Sequence, residues 1–400
     1  MEYSDRRILS FTNAERPGRG SIDAPFAMLT ALLLAIGVMM VLSASFARAY
    51  YDPDKEATYY FTRQLFFAVT GCGIMYLASL FPVRFYRRWS FAILTVSLAL
   101  LLLVLAAGTE ANGAKRWFAI GGVSFQPSEI AKIAVILFDA RLICAYRGKM
   151  HSFRYGVLPF AIVAVAVVGL LVLEPHLSAS IIILGVTAAM MFMGGTSLKW
   201  FLLIGGIAVG GLSLAVFGMD YSSDRISAWL DPFADSSDTG YQIVQSLYSI
   251  GSGGLSGLGL GQSRQKNLYL PEEHNDFIFA VVCEELGFIG AFAILCLFAL
   301  LIIRGFWLAM HCRDRYSFLV CAGVSALLAM QVILNVAVVT NLIPCTGISL
   351  PFFSYGGTAL WLQLAEMGIV LSVSREIPEK DEIKFAASRR GFGKQKEAKI

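Results

Sequence analysis

Charge is what this 400-residue chain lacks most. Asp, Glu, Lys and Arg supply 15% of it against 57% hydrophobic residues, and the mean hydropathy is +0.67. A soluble domain has no use for that excess, so the composition excludes an ordinary water-soluble enzyme and points to a polytopic membrane protein. Period-two alternation is missing as well. The apolar runs are continuous, which excludes a β-barrel and leaves helices as the spanning structure. The seven cysteines (Cys72, Cys144, Cys283, Cys296, Cys312, Cys321, Cys345) show no C-x-x-C spacing and read as packing residues rather than redox or metal ligands. The net charge of +4 fits membrane orientation and contact with anionic lipid, and no nucleic acid is expected as a partner.

What is present is a series of span-length apolar runs. A helix needs about 20 mostly apolar residues to cross the hydrocarbon core. Ten segments qualify: 25–46, 64–81, 91–108, 128–145, 156–173, 177–194, 200–218, 277–303, 318–339 and 358–373. The fold class is therefore an all-α, ten-helix membrane protein. Lys and Arg concentrate on the side shared by the two ends, which predicts cytoplasmic termini. The domains follow: a cytoplasmic arm (1–24), a membrane domain (25–373) and a basic cytoplasmic tail (374–400). A long extracellular loop (219–276) joins spans 7 and 8, and loops of that length are functional or disordered. Ser43-Ala44-Ser45 resembles a cleavage site, but the long mixed-charge arm before it favours an uncleaved anchor.

Several stretches carry chemistry. The run "GSGGLSGLGLGQS" (251–263) follows no predicted strand, so a nucleotide loop is excluded. A flexible re-entrant loop and a backbone cradle for a lipid diphosphate both stay open. "YQIVQSLYSI" (241–250) has the mixed character of an interfacial helix. In "GAKRWFAIGGVSFQPSEIAK" (113–132), Pro127-Ser128-Glu129 reads as a helix start. Glu129, Lys132 and Asp139 then fall within about 80° on one helix face. Ionisable groups there cost ~2.5–3.5 kcal/mol each and turn to a bundle interior or wet cavity, so Glu129 and Lys132 either pair or contact substrate. In "LEPHLSAS" (173–180), His176 reads as a turn or cap residue. "NLIPCTGISLPFFSYGGTAL" (341–360) has no charge and reads as a shaped irregular segment under protein cover.

The densest chemistry is "LPEEHNDFIFAVVCEELG" (270–287). Asp276 stands at the outer mouth of a span about 40 Å long, with Glu284 and Glu285 about 12 Å deeper. Asp276 reads either as a helix cap, which would lower its pKa, or as a proton acceptor. Glu272, Glu273, His274 and Asp276 together read equally as a cation site. The residues alone give a functional cavity at the outer face, with chemistry and transport both open.

At these motifs the chain resembles the SEDS family (shape, elongation, division and sporulation). The matches are "GAKRW", "FQPSEIAK", "GYQIVQSL", "SGGLSGLGLGQSRQK", "LPEEHNDFIFAVVCEELG", "TGISLPFFSYGG" and "MGIVLSVSRE", in family order from Asp23 to about Glu376. "SAS" after the first span, "YYFTRQ" (59–64) and the ending resemble the division and sporulation branch more than the elongation branch. The chain departs from the family pattern at His176, Ser178, Asn275 and Cys283.

The resemblance implies a peptidoglycan glycosyltransferase in the bacterial cytoplasmic membrane, at the division septum. It would polymerise lipid II, a disaccharide-pentapeptide on undecaprenyl diphosphate. Asp276 would be general base to the acceptor hydroxyl. Lys115, Arg116, Arg225 and Lys266, or a divalent cation (Mg2+ or Mn2+), would stabilise the leaving diphosphate. Trp117, Gln126, Ser128, Glu129 and Lys132 are expected substrate contacts, as are Gln245, His274 and Ser354. The expected partners are a class B penicillin-binding protein and other divisome proteins. A lipid II flippase, using Glu129, Lys132, Gln331, Asn335 and Glu366 as a polar path, and a non-enzymatic scaffold are the competing readings.

Overall fold

The computed structural model describes residues 20–111, 114–120, 123–203, 229–235 and 240–377. The helices of the membrane domain are α1 (Ala24–Tyr50), α2 (Tyr59–Leu80), α3 (Val83–Ala107), α4 (Pro127–Ala145), one-turn α5 (Phe153–Gly156), α6 (Leu158–Leu173), α7 (Leu177–Gly194), α8 (Tyr241–Gly253), α9 (Ile278–Met310), α10 (Arg315–Val339) and α11 (Gly357–Ser374). Among the described residues, eight helical segments are long and apolar enough to span a membrane, with α5 and α6 counting as one. The 19-residue α4 is a ninth of comparable length, and it carries Glu129, Lys132, Asp139 and Arg141. Most of the seventh expected span lies outside the described residues.

Helix starts follow local chemistry. The Asp23 carboxylate caps α1 by accepting from the Phe26 amide at 2.9 Å, with Pro25 in the first turn. Asp314 caps α10 in the same way, accepting from Tyr316 and Ser317. The apolar packing forms one large cluster drawing on α1 to α4, α6, α7 and α9 to α11, and a smaller one joining α3, α4, α6 and α7. α4 belongs to both and is buried nearly all round. That cover is what lets Glu129, Lys132 and Asp139 sit at membrane depth, while Arg141 near the helix end is exposed.

A small sheet, not expected from the apolar pattern, is present. Strands β1 (Thr109–Ala111), β2 (Ala114–Ile120) and β3 (Val123–Phe125) form an antiparallel meander between α3 and α4. Strands of three and seven residues are too short to announce themselves by pattern. Thr358 at the start of α11 donates to the Ser124 carbonyl at 2.8 Å and ties the sheet to the bundle.

The expected continuous eighth span is broken. Gly287 has φ 66° and ψ −171° inside α9. In an unbroken helix, Phe288 and Ile289 would donate to the carbonyls of Glu284 and Glu285. The glycine-rich loop has replaced those two rungs with four bonds. Leu258 N–H donates to Glu284 (2.9 Å) and Gly259 N–H to Glu285 (3.0 Å). Phe288 N–H donates to Gly254 (2.9 Å) and Ile289 N–H to Leu255 (3.1 Å). The loop is thus spliced into α9 rather than flexible. A diphosphate cradle is not what it forms, because its central amides are spent on helix carbonyls. α8 runs as expected from sequence, three residues longer, and packs on α9.

The splice requires close backbone contact. A Cβ on Gly287 would lie 2.2 Å from the Gly257 nitrogen, and one on Gly257 would lie 2.2 Å from the Glu285 carbonyl oxygen. Gly287→Ala and Gly257→Ala are each expected to cost at least about 2 kcal/mol through strain and lost splice bonds. Thermal unfolding in detergent checks this. Gly73→Ala, in open space on α2, should leave the midpoint unchanged or slightly raised.

Candidate active site

Four irregular segments meet at the end of the bundle where α9 begins, around a cavity of about 380 Å³. They are the β2–α4 region (116–129), the α6–α7 turn, the approach to α9 (272–276) and the 347–357 segment before α11. The last of these is the uncharged shaped stretch. Its backbone is covered as expected: Leu350 N–H donates to Ser354 Oγ at 2.8 Å, and Phe352 N–H to Gln363 Oε1 at 3.0 Å.

Residues 273–276 are held one by one. Arg48, in the last turn of α1, grips Glu273 with a two-pronged bridge, Nε–Oε1 2.7 Å and Nη2–Oε2 3.0 Å. The His274 carbonyl accepts from the Tyr355 amide at 2.8 Å, and its ring packs against Tyr60 and Tyr355. The Asn275 carbonyl accepts from Ser354 Oγ at 2.8 Å. Asn335 of α10 donates to the carbonyls of Asp276 (2.9 Å) and Ile348 (2.6 Å).

That anchoring leaves the Asp276 side chain facing the cavity, and no hydrogen bond to its carboxylate is formed among the described residues. It does not cap α9, whose cap position is Phe277 without a side-chain bond. Its acidity therefore moves opposite to the capping expectation. Burial pushes the carboxyl up to about 6, the neighbouring Glu272 adds to the rise, and Arg116 opposes it.

Arg116 and Trp117 of β2 reach the cavity, whereas Lys115 beside them is exposed. The Arg116 fork donates to the carbonyls of Glu174 (3.0 Å) and Pro175. Below it, Lys132 and Glu129 pair at 2.7 Å and both line the cavity, so pairing and substrate access coexist. His176 also lines it. Burial, with Arg116 and Lys132 adding, pushes its imidazole down to about 3, so it is neutral in the working range. Glu174 is buried, and both its oxygens lack a hydrogen-bond partner among the described residues. Burial raises its carboxyl to about 7 against the pull of Arg116.

With that geometry in place, comparison with known proteins is decisive. The sequence model of the FtsW/RodA/SpoVE cell cycle proteins matches residues 24–379. The chain belongs to this family. The stage V sporulation protein E of Bacillus subtilis is 40% identical over 357 residues, covering 89% of this chain and 97% of that protein. A protein of Trichlorobacter lovleyi named "Probable peptidoglycan glycosyltransferase FtsW" is 38% identical, covering 88% and 93%. Among solved structures, one chain of a peptidoglycan synthase complex aligns with a TM-score of 0.74 at 31% identity, covering 90% of this chain and 99% of that one. The rod shape determining protein RodA of Thermus thermophilus gives 0.66 at 29%, covering 90% and 98%.

In this family member, Arg116, Trp117, Gln126, Glu129, Lys132, Asp276 and Ser354 gather around the one cavity. Other expected contacts lie elsewhere. Lys266 is bonded to Glu285 at 2.8 Å inside the splice, where it neutralises a buried carboxylate. His274 is enclosed by aromatic rings, Ser128 is fully buried in the first turn of α4, and Gln245 is half-buried on α8. Arg225 lies outside the described residues. The suggested cation cluster comes apart, because Glu273 turns to Arg48 rather than to Asp276. Among the described residues, no group of three potential metal ligands converges. Arg63 on α2 lines the cavity and was not singled out from sequence.

Glu273 is wholly buried and Arg48 partly so. Arg48→Ala should therefore destabilise the protein by about 3 kcal/mol, since it strands a buried charge. Adding Glu273→Gln should restore much of the loss. A double-mutant cycle on the unfolding midpoint measures the coupling.

Proposed function

We propose that this chain is a peptidoglycan glycosyltransferase. It extends glycan strands from lipid II at the outer face of the bacterial cytoplasmic membrane, for septal wall synthesis, beside a class B penicillin-binding protein and other divisome proteins. Its termini are cytoplasmic, and the cavity opens outward. The names of the FtsW relatives and the synthase-complex neighbour support the activity and the transpeptidase partner. The observation that carries the mechanism is the Asp276 carboxylate, aimed into the cavity, unbonded among the described residues and near Arg116.

The 4-hydroxyl of the acceptor sugar gives its proton to Asp276 as its oxygen bonds the donor's anomeric carbon. The bond from that carbon to the diphosphate breaks, and the electron pair leaves with undecaprenyl diphosphate. Arg116 meets the charge that develops on the leaving oxygen. A carboxyl near 6 suits the base: it is ionised at neutral pH and more basic than an ordinary aspartate. Gln126, neutral His176 and Trp117 supply donors and an apolar face to the sugars. Three of the five polar groups named for a flippase path are engaged internally. Glu129 holds Lys132, and Asn335 holds two backbone carbonyls.

Polymerisation of lipid II by the purified protein, with a transpeptidation-dead partner, tests this. Asp276→Asn should lose at least about a hundredfold in kcat/KM while remaining folded. Equal polymer from both would sink Asp276 as base, and polymer from neither would favour transport or scaffolding.

Because the base must be ionised, wild-type kcat/KM should fall as pH drops through about 6. Glu272→Gln removes a like charge that raises the carboxyl, so it should move this acid limb to lower pH.

A further inference from the structure

The turn between α6 and α7 holds a carboxyl that the reaction described above does not use. The Glu174 side chain is buried, and neither of its oxygens has a hydrogen-bond partner among the described residues. Its backbone, by contrast, is engaged. The Glu174 carbonyl accepts from Arg116 Nε at 3.0 Å, and the Pro175 carbonyl accepts from Arg116 Nη2. The guanidinium that serves the cavity is therefore seated on the same residue whose carboxyl stands unbonded.

We propose that Glu174 is a proton-controlled positioning residue for Arg116. While the Glu174 carboxyl is neutral, the Arg116 fork stays on the two turn carbonyls, at the cavity. When the carboxyl loses its proton, it draws the guanidinium to itself and off the cavity, and the reaction slows. The inference rests on the glycosyltransferase reading and adds an alkaline limit to it.

A buried carboxylate left without donor or cation costs far more than a neutral carboxyl in the same place. The unbonded arrangement is thus that of the neutral acid, and ionisation demands a cation. Burial raises the carboxyl to about 7 against the pull of Arg116, so both forms are reached near neutrality.

The groups around Glu174 leave one cation for that role. On the same turn, His176 is kept neutral by burial. On α4, Lys132 is bonded to Glu129 at 2.7 Å. On β2, Lys115 is exposed. Across the cavity, Glu272 and Asp276 are themselves acids. Arg116 is the charge that acts on the Glu174 carboxyl, and its fork already rests on that residue's backbone.

The test measures the affinity of undecaprenyl diphosphate for the full-length protein in nanodiscs, a readout independent of turnover. It runs from about pH 6 to about pH 9, with lipid II polymerisation followed in parallel. Glu174 is neutral below about 7 and ionised above it. Wild-type affinity and kcat/KM should therefore fall as pH rises through about 7, approaching tenfold per pH unit. Glu174→Gln, always neutral, should hold its affinity to about pH 9 and lose the alkaline limb of kcat/KM. Its acid limb, set by Asp276, should stay where wild type has it. Arg116→Gln should bind weakly at every pH, with no step near 7. Ionisation of the ligand itself affects all three proteins alike.

Wild-type affinity that stays flat across this range would overturn the proposal. So would a step near pH 7 that persists in folded Glu174→Gln or in Arg116→Gln. Loss of the step in both variants, with no polymer from wild type at any pH, would keep the control of Arg116 by Glu174 and overturn the reaction.

Discussion

A buried carbonyl must be given a donor, and much of the cavity end of this molecule depends on how that demand is met at Gly287. Breaking α9 frees two carbonyls and two amides at membrane depth, where each unmet group costs several kcal/mol. The glycine-rich loop meets all four. In doing so it carries Ser263, Arg264 and Gln265 to the Glu284 carboxylate, which also accepts from Ser249 and Ser252. Lys266 and Ser43 meet Glu285. The first turns of α9, and Asp276 before them, are thus fixed to α1, α8 and the loop as well as to their own helix.

The same demand divides the charges into two kinds. Three buried charges are compensated by a direct partner: Lys132 by Glu129, Lys266 by Glu285, and Glu273 by Arg48. At the cavity, burial raises the Asp276 carboxyl, the nearby Glu272 adds to the rise, and Arg116 opposes it. Compensation inside and tension at the mouth is the arrangement expected where a protein keeps one group ready for a partner that arrives from outside.

The sequence made the apolar spans legible, because twenty apolar residues in a row have few other uses. It also marked the segments that build the cavity, since charge and proline at membrane depth stand out against such a background. Direction was not legible. Glu273, His274 and Asp276 look like one cluster in the chain, yet they face Arg48, two tyrosine rings and the cavity respectively. The sign of Lys266 was readable, but not that Glu285 had already claimed it. Gly287 is one glycine in an apolar run, where glycine is common, and the break it allows depends on a loop about thirty residues earlier. Arg63 was passed over because "YYFTRQ" served only to place the chain within its family.

The splice also bears on how this part of the chain can change over time. Added length in a surface loop usually costs little, because closure entropy grows slowly with loop size. Between Gly254 and Ile289 that tolerance is lost at both ends. One extra residue on either side of the crossing would slide the four bonds out of step, and the carboxylate of Glu284 would lose its donors. This stretch is free to drift in composition wherever its side chains face lipid or water. In length it is nearly frozen, as a helix interior is, although most of it is coil.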